Sequence, residues 1–212
     1  MTTAQMHTIT TKARQFTPQF QYSIIAVILM GAFSMRALAQ DGHSHVQRTQ
    51  HQEQAADQKS QAGALLKIVR DSTERFKDVK VAEVEGYTLT FGCVSGPDAG
   101  AMGLHFVNFD LVTKGELDAR RPQIVIYEPT SDGQLRLIGA DYLLDAATWD
   151  AKKQGPPELM GQLFHLFDSP NRFGLPAFYT LHVWAWKENP NGAFVNWHPN
   201  VSCQNFSGQT TF

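Results

Sequence analysis

Residues 175–203 read LPAFYTLHVWAWKENPNGAFVNWHPNVSC, and this stretch holds three of the four tryptophans of the chain and one of its two cysteines. Its aromatic and β-branched residues predict a strand over residues 178–186. The Asn-Pro-Asn-Gly sequence at residues 189–192 is typical of a turn, and residues 193–197 are the expected partner strand. We therefore predict that the stretch forms the last hairpin of a sheet and closes a domain.

Cys93 and Cys203 are the only cysteines of the chain, and they lie far apart in the sequence. In an exported protein an even number of cysteines usually indicates a disulfide. A bond between these two would close a loop worth up to about 4.7 kcal/mol in the chain-entropy description. Two buried free thiols, or two metal ligands, are the alternatives, although the spacing matches no zinc motif. We predict the disulfide.

The amino end carries the three parts of a secretory signal peptide. Residues 1–21 contain two basic residues and no acid, residues 22–35 are largely apolar, and Ala37-Leu38-Ala39 matches a cleavage site. The apolar segment is shorter than the roughly 20 residues that a spanning helix needs. We predict a signal peptide over residues 1–39, export to the periplasm or the medium, and no stable membrane anchor after cleavage. An uncleaved anchor is the alternative.

Removal of residues 1–39 takes away Lys12, Arg14 and Arg36 and no acid, so the net charge changes from −2 to −5. Nucleic-acid binding requires a basic face, and an anionic membrane surface attracts basic segments. The charge balance therefore disfavours both partners. A small molecule or another protein remains the expected partner class.

The mature chain is predicted to begin with a disordered tail over residues 40–60, because this segment is polar and almost without large apolar residues. Residues 61–85 show one apolar stripe at helical spacing and predict a long amphipathic helix. Gly86 is suited to end that helix. The stripe consists of Leu65, Ile68, Val69, Ser72, Phe76 and Val79.

The rest of the chain is read as strands and turns. The Asp132-Gly133 pair predicts a tight hairpin between two of these strands. A helix followed by consecutive strands indicates an α+β domain, with the amphipathic helix packed on a mainly antiparallel sheet. We expect a single globular domain over residues 61–205. The predicted strands are residues 87–94, 103–112, 124–128, 135–143, 178–186 and 193–197.

Among the candidates for chemistry, two histidines and one acid lie on predicted strands. The signatures of serine hydrolases, HExxH zinc enzymes, P-loops and dinucleotide-binding folds do not occur in the sequence. His105, Glu128 and His182 each sit among apolar residues, where an ionisable group needs a partner. If their strands are neighbours, the three side chains would suit a divalent transition metal or acid–base catalysis. The alternative is that the histidines fill the core and Glu128 pairs with Arg136.

Trp184 and Trp186 are candidates for the aromatic lining of a ligand groove. Aromatic side chains are also the usual core of a small sheet, where each buries about 150–250 Å². The core interpretation is favoured for both tryptophans.

A set of segments is spread over residues 73–194: TERFKD (73–78) with Gly86-Tyr87, GCVSGPDAGAMGLHFVN (92–108), RPQIVIYEP (121–129), LRLIGADYLL (135–144) and NRFGLPAFYTLHVWAWKENPNGAF (171–194). Together these segments resemble a group of uncharacterised exported bacterial proteins. The resemblance covers most of residues 64–203, and it implies one domain and bacterial export without an assigned activity.

Two functional hypotheses follow. The first is an exported globular protein that binds a small ligand or has a structural role. The second is a metal-dependent or acid–base enzyme that uses His105, Glu128 and His182.

Overall fold

The computed structural model describes residues 42–152 and 155–212, and the side chains from residue 52 onward. The signal peptide predicted for residues 1–39 lies outside the described residues. Residues 42–212 form one compact unit. In the described part of the chain, no helix combines the length and apolar character needed to cross a membrane.

Three helical segments replace the single helix predicted for residues 61–85. They are α1 (Gly42–Thr73), a 3₁₀ helix (Glu74–Lys77) and α2 (Val79–Val84). The Asp78 side chain accepts a hydrogen bond from the Lys80 N–H and so starts α2 as a new helix. The chain therefore bends twice between α1 and the first strand.

The described part of the segment expected as a tail, residues 42–60, is helical and belongs to α1. Side chains 52–60 are all exposed. The sequence carries no apolar stripe here, and for that reason the helical conformation of this part was not predicted.

A seven-stranded sheet forms the centre of the protein. The seven strands are β1 (Thr88–Gly96), β2 (Gly100–Val107), β3 (Ile124–Pro129), β4 (Leu135–Asp145), β7 (His165–Phe167), β8 (Phe178–Val183) and β9 (Thr210–Thr211). Their order in the sheet is β7-β8-β4-β3-β2-β1-β9, and every neighbouring pair is antiparallel except β1 and β9. The α+β class with a mainly antiparallel sheet is thus confirmed. A separate pair, β5 (Glu158–Leu159) and β6 (Gln162–Leu163), forms a small hairpin.

Two short helices connect strands of the sheet: α3 (Phe109–Lys114) and α4 (Ala146–Asp150). The strand predicted for residues 103–112 ends at Val107 instead, because the Asn108 side chain accepts a hydrogen bond from the Leu111 N–H and caps α3. The tight turn predicted at Asp132-Gly133 joins β3 and β4 as expected, and Gly133 adopts a positive φ of 79°.

The hairpin predicted for residues 178–197 is wrong in its second half. β8 is hydrogen-bonded to β4 along its whole length and to β7 at residues 178–180. Just beyond β8, the Trp184 N–H donates to Ala193 O, but this contact does not extend into a strand pair. Residues 193–197 form no strand. The chain instead continues to His198, which makes an isolated bridge with Ala101.

The two faces of the sheet carry different core clusters, because successive strand residues point to opposite faces. On the first face, which we call the helix face, Tyr142 and Leu181 are fully buried. On the second face, which we call the site face, apolar residues such as Ile126 surround a small polar group.

The predicted disulfide between Cys93 and Cys203 is confirmed, with a sulfur–sulfur distance of 2.07 Å. Cys93 lies in β1, next to the parallel strand β9. The bond therefore ties the carboxyl-terminal segment to the far side of the sheet from β7.

Candidate metal centre

Three buried polar residues meet on the site face, each carried by a different strand. His105 lies on β2, Asp141 on β4 and His182 on β8. Asp141 and His182 are direct register partners, whereas β3 lies between His105 and Asp141. The alternation of strand side chains brings all three to one face.

The donor atoms of the three residues are close together. His105 Nε2 lies 3.4 Å from His182 Nε2, and Asp141 Oδ1 lies 3.8 Å from His182 Nδ1. One ligand atom from each of the three residues lies within 4.8 Å of the others. The group therefore has the dimensions of a first coordination sphere.

The hydrogen bonds around the group orient its donor atoms. A carbonyl oxygen only accepts, so His105 Nδ1 donates to Gly103 O at 3.2 Å, and the lone pair of a neutral imidazole is then on Nε2. Asp141 Oδ1 accepts a hydrogen bond of 2.5 Å from Thr180 Oγ1. A backbone carbonyl behind a histidine and a hydroxyl behind a carboxylate are common supports of metal ligands.

His182 is less completely bonded. The Asn196 side chain approaches it, but neither His182 Nδ1 nor Asn196 Oδ1 has a hydrogen bond of normal geometry. A buried polar atom without a partner carries a cost of about 1–3 kcal/mol. The group is thus incompletely satisfied by protein atoms.

Burial determines the charges in the group, since all three side chains are at most 4% exposed. Burial lowers the pKa of His105 and of His182 below the usual 6.5, so both imidazoles are neutral near pH 7. Burial also raises the pKa of Asp141, to about 6. Near pH 7 the group therefore carries about one negative charge, and no described lysine or arginine forms an ion pair with it.

A cavity of about 20 Å³ adjoins the three residues. That volume holds about one water molecule or one ion, and it is far below the roughly 300 Å³ at which pockets for drug-sized ligands begin. The other lining residues are mostly apolar: Phe91, Met102, Ile124, Leu143, Phe167, Phe173, Leu175, Phe178 and Thr180.

Glu128 does not belong to this group. Its carboxylate forms ion pairs with Arg136 at 2.5 Å and with Lys187 at 2.7 Å. The structure thus brings His105 and His182 together, and the carboxylate beside them is that of Asp141. The sequence contained a signal for Asp141, because it is a lone acid within the apolar run of residues 137–144.

The two candidate tryptophans differ in exposure, since Trp184 is buried and Trp186 is half-buried. Trp184 is 2% exposed and stacks beside His182, with ring centroids 5.8 Å apart. Trp186 donates from Nε1 to Thr73 Oγ1, and the Lys77 ammonium lies over its ring. Trp184 therefore supports the position of the His182 ring.

The chain matches no protein-family model, and searches of the curated proteins and of the solved structures found no similar protein. A functional inference therefore depends on the geometry of the described residues. Among them, the buried group of two histidines and one aspartate has the residue types and the spacing of a metal site.

Proposed function

We propose that this protein is an exported metal-binding protein, in which His105, Asp141 and His182 hold one divalent transition-metal ion. The observation that carries the proposal is the 3.4 Å distance between His105 Nε2 and His182 Nε2. Two imidazole nitrogens on a tetrahedral ion at about 2.0–2.1 Å lie about 3.3–3.4 Å apart. The spacing thus matches a shared ion.

The charges of the three side chains support the same proposal. Metal ions bind neutral imidazoles and ionised carboxylates, and these are the forms favoured near pH 7 at this site. A buried negative charge without a cation is unfavourable. A divalent cation would compensate that charge.

Two histidines and one carboxylate leave a coordination position for water or a ligand. This donor set suits zinc with a bound water, or iron(II) in a three-residue facial arrangement. Such an ion polarises the molecule bound to it. The contribution of the chain is to hold the three donors and to exclude bulk water with the apolar wall of the cavity.

Metal content tests the proposal. The mature protein purified from an exporting host should contain about one transition-metal ion per chain, because a single site is proposed. The variants His182→Ala and Asp141→Asn should lose it. His165→Ala is the matched control, because His165 is exposed on β7 and outside the group. The fold of each variant is checked by circular dichroism.

A metal-free wild-type protein that also fails to take up zinc(II) or cobalt(II) on titration would overturn the proposal. So would a folded His182→Ala variant with unchanged metal content. In either case the group would be a structural hydrogen-bonded cluster.

Export is part of the proposal, supported by the sequence of residues 1–39 and by the disulfide, since disulfides persist mainly outside the cytosol. Amino-terminal sequencing of the protein recovered from the periplasm or the medium should begin at Gln40. Recovery of a chain that starts at Met1 would contradict cleavage.

We also propose that α1 covers the helix face of the sheet through its apolar stripe. Its buried residues Leu65 and Val69 lie in the core cluster of β4 and β8. The helix then packs on the face opposite the site, against the two strands that carry Asp141 and His182, and restricts the movement of these strands.

A second candidate function is the binding of a small ligand in an open cavity of about 340 Å³ between α3 and α4. Trp149, Lys114 and Lys152 line it, and they offer a ring to stack on and two positive charges. A ligand of this cavity would lose affinity in Trp149→Ala and keep it in His182→Ala. The reverse result would assign the ligand to the metal centre.

A further inference from the structure

A second apolar cavity lies directly beside the metal centre. Its volume is about 130 Å³, and we call it the vestibule. The side chains that line it are Phe91, Val107, Phe109, Val112, Leu143, Asp145, Leu175, Pro176 and Phe178.

Four side chains line both the vestibule and the small cavity at the metal centre. They are Phe91, Leu143, Leu175 and Phe178. The two cavities are therefore neighbours across one layer of side chains. A molecule in the vestibule would need only to pass between these four side chains to reach the ion.

The lining of the vestibule is almost entirely apolar. Among the described residues that line it, Asp145 is the only charged one, and the Asp145 carboxylate already accepts a hydrogen bond from the Thr148 N–H. The same described lining contains no lysine, arginine or histidine. The volume is close to that of an engineered apolar cavity of about 150 Å³ that binds benzene.

The backbone at Phe91 is a further unusual feature of this wall. Phe91 has a positive φ of 69°, which is rare for a bulky side chain, at an irregularity in the pairing of β1 with β2. Such strain is typical of functional sites. The Phe91 ring packs against Phe173 at 5.2 Å between ring centroids.

We infer that the metal centre serves a small, uncharged, largely apolar molecule that enters through the vestibule and presents one donor atom to the ion. This inference rests on the proposed metal binding and names its ligand class. The apolar body would occupy the vestibule. The donor atom would take the remaining coordination position beside His105, Asp141 and His182.

Cobalt(II) loaded into the wild-type protein provides the test, because its visible spectrum reports the ligands of the ion. Benzyl alcohol is the probe, since it combines one oxygen donor with an apolar ring. 4-(Hydroxymethyl)benzenesulfonate is the matched control, with the same ring and alcohol and a negative charge at the far end of the ring, which would lie in the vestibule. Benzyl alcohol should change the spectrum with saturation, and the sulfonate should bind at least about tenfold more weakly, because the apolar wall does not solvate its charge.

Two variants place a carboxylate at an exposed apolar position. Phe109 is 51% exposed and lines the vestibule, whereas Leu163 is 59% exposed and does not line it. Phe109→Asp should weaken benzyl alcohol binding by about tenfold or more without changing the cobalt content. Leu163→Asp should leave both unchanged.

Saturation-transfer NMR of benzene with the metal-free protein tests the vestibule without metal. Benzene should receive saturation from the wild-type protein, and less from the Phe109→Asp variant. Stoichiometric cobalt binding together with no response to benzyl alcohol, or with equal affinity for the sulfonate, would overturn this inference and leave metal binding intact. Absence of cobalt binding would overturn both.

Discussion

Glu128 and Asp141 lie on neighbouring strands, and their surroundings give the two acids different roles. Burial alone would raise the pKa of Glu128, but its hydrogen bonds to Lys187 and Arg136 outweigh burial and hold the pKa below the usual value of 4.5. No lysine or arginine of the described residues forms an ion pair with Asp141, and burial raises its pKa to about 6. Two cations thus hold Glu128 as an anion, whereas the hydrogen bonds that Asp141 accepts, including the one from Thr180, do not offset its burial.

Replacement of Glu128 by Gln should lower the free energy of unfolding by about 1–3 kcal/mol at pH 7, because Lys187 loses a charged partner. A lowered pKa means that the ionised Glu128 stabilises the fold above about pH 4.5, and that this stability is lost as the pH falls through the folded-state pKa. The difference between wild type and variant should therefore shrink in acid. Urea unfolding over a pH series measures it, and a difference independent of pH would contradict the assignment.

Replacement of Asp141 by Asn, unlike that of Glu128 by Gln, should not destabilise the metal-free protein. The amide oxygen can still accept from Thr180, while the uncompensated buried charge is removed, so the unfolding free energy in EDTA at pH 7 should not fall. Added zinc(II) should raise the melting temperature of the wild type and not of the variant. A strong loss of stability in EDTA would show that the charge of Asp141 is already balanced within the protein.

Among the secondary-structure elements, the sequence predicted those features that depend on residues close together in the chain. The Asp132-Gly133 turn and the strands around it were predictable, because a short turn and alternating residues act over a few positions. The pairing of β8 was not, since its neighbours β4 and β7 are chosen by the whole sheet. The partner strand expected at residues 193–197 does not form, although Ala193 O accepts a hydrogen bond from the Trp184 N–H just beyond β8.

The candidate site shows the same limit. The sequence marked His105 and His182 as unusual residues on apolar strands, and the fold brings them together. The sequence could not show that Asp141, and not Glu128, lies beside the two histidines, because this depends on which side chains contact each acid in the fold. Arg136 was visible as a hairpin partner of Glu128, whereas Lys187 is 59 positions away.

The packing of α1 on the helix face is tested by Leu65→Ala. Leu65 is fully buried, so the substitution should cost about 2–5 kcal/mol of unfolding free energy. Leu163→Ala is the matched control, since Leu163 is 59% exposed and should change stability by less than about 0.5 kcal/mol. Chemical denaturation of both variants measures the difference, and equal small effects would show that α1 contributes little to the core.

At the scale of the whole molecule, the disulfide links two distant parts of the chain. The bonded cysteines are 110 positions apart, and such a cross-link stabilises by up to about 4.7 kcal/mol through the unfolded state. The double variant Cys93→Ser, Cys203→Ser should lose a stability of this order in denaturant. Thiol titration of the unfolded, unreduced wild type should find no free thiol, and a titre of two would contradict the bond.

The cysteine pair also determines which catalysts of disulfide formation the chain needs. With two cysteines, one intramolecular disulfide is the only pairing available, so no incorrect internal bond can form and none needs to be rearranged. An oxidant is required, but a disulfide isomerase is not. Cys203 also emerges from the ribosome long after Cys93, so the bond can close only when almost the entire sheet has been synthesised.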